Sequence, residues 1–216
     1  MSRPARRRPQ EASGGSGGPT GGRARRRAKR AQPAPSAVSW QCVVLAVDTA
    51  ARSGWSVRVA GKQSSFGEAD TLDARALDYI VSWALYQADS RGLPLVLVLE
   101  APWGGPMPML LALGAARERW LVAWRAHRLP PDQVVKVQPS TWRTAVLGRE
   151  WASAPRAEVR RHEQLIAGAM VRKSGDGDGD KDGEVRGDEA AAILIGRWAE
   201  RAHAVGLALG KKRGVR

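Results

Sequence analysis

Three acidic residues occupy positions where a folded chain would gather them. Asp48 closes the apolar run VVLAVD (43–48), and Glu100 closes LVLVLE (95–100), directly before Ala101-Pro102. Short apolar runs of this kind read as strands, and a carboxylate at a strand's C-terminal end faces the crevice of a parallel or mixed sheet. Asp188 begins the helical run DEAAAILIGRWAERA. At 3.6 residues per turn it shares a face with Ala191, Ala192, Ile195 and Ala199, the face expected to pack on the sheet. Three carboxylates at one spot repel unless a cation lies between them, and that cation is most often a divalent metal. Singly, each acid has a plainer role: Asp48 can open a turn, Glu100 can pair with an arginine, and Asp188 can cap a helix. Their order and element types together favour a shared site.

The elements that must position these acids are legible as an alternating series. Residues 41–48, 54–60 and 62–67 read as a three-strand meander with a turn at Ala60-Gly61-Lys62. A helix is expected over 72–90, with Leu72, Ala76, Tyr79, Trp83 and Tyr86 on one face, and Gly92 and Pro94 end it before the 95–100 strand. A second helix over 108–127 aligns Leu110, Leu113, Trp120 and Trp124; Pro130-Pro131 stops it, and 133–138 reads as a short strand followed by helices. Trp83, Trp120, Trp124 and Trp198 fall at helical spacing and are expected in the core.

The ordered blocks VLAVDTAARSGWSV, LVLVLEAPWGG, KVQPSTWRTAVLG and GDEAAAILIGRWA resemble those of the RuvC-type Holliday junction resolvases of bacteria and phages, across roughly residues 41–205. The resemblance implies an α/β, ribonuclease H-like mixed sheet flanked by helices. It further implies a dimeric endonuclease that nicks four-way DNA using two magnesium ions, with manganese able to substitute. By position Asp48 matches the first-strand acid, Glu100 the fourth-strand acid, and Asp188 the first acid of the closing D-x-x-D-A-L block. The second acid of that block falls on Ala191, where Glu189 or an acid of the preceding loop would have to substitute. The expected chemistry is phosphodiester hydrolysis by two ions about 4 Å apart, held by Asp48, Glu100, Asp188 and Glu189.

Charge is concentrated at the two ends. The 216 residues carry a formal +14, of which residues 1–38 hold +9 (ten basic residues, one acid) and residues 211–216 hold +4. The expected organisation is a disordered basic tail (1–38), a nuclease domain (39–207) and a basic C-terminal tail (208–216). The first tail is rich in Arg, Gly, Pro and Ser and cannot bury enough apolar surface to offset ordering entropy. Its clusters Arg6–Arg8 and Arg23–Arg30 suit phosphate contacts, with a solubilising tail or a transit peptide as the plainer readings. No secretory or membrane-length apolar run occurs, and the single cysteine, Cys42, forms no internal disulfide, so a cytoplasmic setting in a bacterial cell or a phage-infected host is expected.

Four further residues are nucleic-acid candidates. Trp103 in the loop APWGGPMP can stack on an unpaired base or simply pack on its own loop. Arg143, in the helix start PSTWR with Ser140 or Thr141 as cap, can hold a phosphate. Arg156 and Arg160, with Arg161, can contact the DNA backbone or remain solvated charge. His162 on the same helix is an accessory candidate. The acidic loop 175–187 contains GDGDGDKDGE, in which Asp178, Asp180, Asp182 and Glu189 match a calcium-loop pattern. Gly-Asp repetition and the lack of a second copy favour a flexible insertion over a calcium site. Two other classes stay open: related nuclease or strand-transfer chemistry, and a non-catalytic DNA-binding protein. An actin-like ATPase shares the opening hairpin but needs Gly-rich phosphate loops that this chain lacks.

Overall fold

The computed structural model of the chain describes residues 42–102, 104–174 and 185–201. Both basic tails, Trp103 and the Asp178, Asp180 and Asp182 repeat lie outside them. The described elements run β1 (Val43–Asp48), β2 (Arg52–Val59), β3 (Lys62–Asp70), α1 (Ala74–Asp89), β4 (Leu95–Glu100), α2 (Met107–Ala126), β5 (Val134–Val137), α3 (Pro139–Leu147), α4 (Arg156–Ser174) and α5 (Gly187–Arg201). The five strands form one sheet in the order β3-β2-β1-β4-β5. The meander β1-β2-β3 is antiparallel, whereas β4 adds parallel to β1 and β5 parallel to β4. This is the mixed sheet the sequence predicts, although β2 starts at Arg52 and β3 extends to Asp70, beyond the residues expected for them.

Strand parity divides the core. Val44, Ala46, Val96 and Val98 point to the side covered by α3, α4 and α5, while Val43, Leu45, Leu95, Leu97 and Leu99 point to α1 and α2. With both faces covered, β1 and β4 are apolar throughout rather than alternating. Successive side chains on a strand point to opposite faces, so Asp48 and Glu100 continue the even-numbered set and face α5.

Helix α5 docks tightly because small residues meet along the seam. Ser56 Oγ donates to the Ala192 carbonyl at 2.9 Å, and a Cβ on Gly196 would come 2.8 Å from Arg58 Cδ and 3.4 Å from Ala46 Cβ. At the far end of the helix Arg58 bonds Glu200 at 2.7 Å, fixing its angle over β2.

The helices depart from expectation in three respects. Helix α1 buries Leu77, Ile80, Val81, Ala84 and Ala88, not the aromatic stripe; Leu72, Tyr79 and Tyr86 are exposed. Trp83 is partly buried, stacked on Tyr86 with its indole donating to Ser65 Oγ, and Trp198 is likewise only partly buried, whereas Trp120 and Trp124 are full core residues. Neither Ser140 nor Thr141 caps α3: the N-cap is Gln138, with no side-chain bond, and Pro139 opens the helix. Proline suits that position because its missing N–H would have no helical partner there.

Candidate active site

β1 and β4 pair in parallel with Val47 opposite Leu99, and one further step along this register sets Asp48 beside Glu100 at the strand ends. Thr49 reinforces the junction by donating its hydroxyl to the Glu100 carbonyl at 2.8 Å. Asp188 arrives from above. It lies in the first turn of α5, whose backbone rests on Gly54, the β2 residue paired with Asp48.

The electrostatics of Asp48 reflect this placement. Burial pushes the Asp48 carboxyl well above its usual range; the charge of Glu100, a hydrogen bond with it, and the charge of Asp188 push the same way, while Arg143 opposes them. An acid so placed holds a proton unless a cation replaces it.

Glu100 is held by a residue that its sequence setting did not reveal. Trp142, fully buried in α3, donates its indole N–H to Glu100 Oε1 at 2.8 Å. The neighbouring Arg143 guanidinium stacks over the Trp142 ring at 4.8 Å and reaches Glu100 at 3.9 Å. Its short bond goes elsewhere: Arg143 Nε donates to Glu163 Oε1 at 2.8 Å. Glu163, on α4, is 1% exposed. Burial raises its carboxyl, against the lowering effect of Arg143. Although burial disfavours the charge of Arg143, Glu163, Glu100 and Asp48 together hold it firmly protonated. Arg143 thus sits among the acids with its side chain 35% exposed.

Other arginines ring the site. Arg160 meets Asp188 at 3.6 Å, and Arg52 and Arg186 meet Glu68 at 3.4 and 3.6 Å. Arg156 is exposed at the start of α4, and Arg161 is exposed as well. His162 stacks on Trp151 with ring centroids 3.9 Å apart. The Glu189 carboxylate accepts from the Arg186 backbone N–H at 2.9 Å, capping α5. Ala191 is 2% exposed in the core.

Among the described residues no three acidic, histidine or cysteine side chains form a ready-made metal cage. Asp188 faces Arg160 instead. The donor set nonetheless fits a hard divalent cation: Asp48, Glu100 and Asp188 offer oxygen ligands from three elements, and burial, with the charges of Glu100 and Asp188, raises Asp48.

No protein-family model matches the chain, and no curated protein sequence does. Solved structures do. The Thermus thermophilus RuvC structure superposes with a TM-score of 0.50 at 16% identity, covering 75% of this chain and 97% of that one. T. thermophilus RuvC in complex with Holliday junction substrate matches with a TM-score of 0.49 at 16% identity, over 78% and 96% of the two chains. The yeast mitochondrial Holliday junction resolvase matches with a TM-score of 0.41 at 11% identity, over 80% and 82%. The first of these, at a TM-score of 0.50, shows that the chain has the ribonuclease H-like fold of RuvC. No helix among the described residues is long and apolar enough to cross a membrane.

Proposed function

We propose that this protein is a metal-dependent endonuclease that resolves Holliday junctions or other branched DNA by phosphodiester hydrolysis. The observation that carries the reading is the register that sets Asp48 beside Glu100 at the strand ends, with Asp188 on the first turn of α5 above them. The four ordered sequence blocks point to the same activity.

Asp48, Glu100 and Asp188 would hold magnesium, or manganese in its place. When bound, such ions activate water as a nucleophile and neutralise charge on the phosphate and the leaving 3'-oxygen. The buried Asp48 carboxyl would give up its proton on holding such a cation. Trp142 fixes the orientation of Glu100 through its Oε1. Arg156, Arg160 and Arg161 supply backbone contacts along α4, and Trp103, outside the described residues, is a candidate to stack on a base. Paired nicks across a junction need two-fold related sites, so the working form is a homodimer.

Incubating the protein with four-way, forked and linear DNA in magnesium tests the reading: paired nicks in the four-way substrate are expected, and cutting confined to linear or forked DNA overturns it. A monomer in sedimentation, with and without DNA, would overturn the dimer. Buried Ala191, at the position of the family's second closing acid, favours a second reading, a non-catalytic DNA-binding protein. Tight junction binding without cleavage in either metal would identify that case.

A further inference from the structure

Arg143 occupies an awkward position for a metal-dependent site. Its guanidinium is the described cation facing Asp48 and Glu100, and it has the reach to pair with them directly. A guanidinium bridging those carboxylates would supply the charge that a divalent ion is meant to supply. The bond lengths show a different arrangement: 2.8 Å from Arg143 Nε to Glu163, but 3.9 Å from Arg143 to Glu100. Glu163 is buried, comes from another helix, and has Arg160 as a second nearby cation.

We propose that Glu163 is a positioning residue that tethers Arg143 clear of the carboxylates, leaving them open to a divalent cation while keeping a positive charge beside them. The inference rests on the metal-dependent reading above and adds a mechanism for cation access. Without the tether, Arg143, whose side chain is 35% exposed, would be a half-buried charge short of a close partner, and the strong relief within its reach is Glu100 and Asp48. It would then compete with the metal. Removing Arg143 as well would leave the acids unscreened and hungrier for a cation.

The test is titration of the DNA-free protein with manganese chloride, read by calorimetry and by melting temperature. Glu163→Gln is expected to raise the half-saturating manganese concentration about tenfold, the scale of one close charge interaction in a partly buried site. In the double variant Arg143→Ala with Glu163→Gln the value should return to within about threefold of wild type, or fall below it. A merely structural role for Glu163 predicts the opposite, since the double variant would bind as weakly as the single or more so. That result, or unchanged binding by Glu163→Gln, overturns the proposal. If Glu163→Gln shows no cooperative melt, Glu163→Asp substitutes, shortening the tether by one methylene, with the same rise and the same reversal by Arg143→Ala expected. No manganese binding by the wild type would bring down the metal-dependent reading itself, and this inference with it.

Discussion

Gly54 lies directly beneath the backbone of Asp188: a Cβ built on Gly54 would overlap the Asp188 carbonyl group and crowd the Glu189 nitrogen. The third acid is therefore positioned by the absence of a side chain on the strand next to Asp48. Gly54→Ala must lift the first turn of α5. We expect single-turnover cleavage to fall about 100-fold, the cost of misplacing a reacting group by about 1 Å, with junction binding within about threefold of wild type. Near-normal cleavage by this variant would disprove the positioning role.

Asp48→Asn should abolish cleavage while leaving junction binding intact or tighter. It should also stabilise the cation-free protein. The native carboxyl is raised above its unfolded value, so ionising it costs folding energy. That cost is absent below about pH 4, where both states are protonated, grows as pH rises above the unfolded value, and levels off past the native one. In EDTA the variant should melt several degrees above wild type at pH 8 but together with it at pH 4, and magnesium should stabilise only the wild type. Equal melting at pH 8 in EDTA would contradict the buried repulsion.

Deleting residues 1–36 should weaken DNA binding across all substrates and flatten its dependence on salt, with little change in structural preference. For duplex DNA the log–log salt slope should shrink by about 0.9 for every phosphate that the tail neutralises. Fluorescence anisotropy at several salt concentrations provides the slope, and an unaltered one would assign the tail another task.

Changing Asp178, Asp180 and Asp182 together to Asn is expected to leave melting unaffected and to tighten DNA binding modestly at low salt, as repulsion is removed. Glu189, the acid that would close a calcium loop, already caps α5. A high-affinity calcium site found by calorimetry in the wild type and lost in the triple variant would show the opposite.

Much of the frame is legible in the sequence because β1 and β4 announce themselves. Each is a run of Val, Leu and Ala too short for a helix and ended by an acid, and their even-numbered residues set the face on which Asp48 and Glu100 stand. Helix α1 misleads because it carries two apolar stripes. The larger residues Leu72, Tyr79, Trp83 and Tyr86 make the more conspicuous one, but against a close-packed sheet the smaller Val81, Ala84 and Ala88 fit better. Glu163 is hidden for another reason: in RAEVRRHEQ an acid among arginines looks solvated, and only the approach of α4 to Arg143 from α3 buries it. Trp142 gives no signal because its segment reads as a helix start, where hydroxyls rather than an indole are the expected polar groups.

The placement of α5 also orders events during synthesis. Both strand-end acids lie within the first hundred residues, and the meander can add β4 long before residues 187–201 are made. At about 5–20 residues per second, several seconds separate Glu100 from Asp188 on the ribosome. Throughout that interval the nascent chain holds two of the three acids that the proposed function calls for. The same delay leaves the sheet face of Val44, Ala46, Val96 and Val98 without its α5 cover until the last helix closes over it.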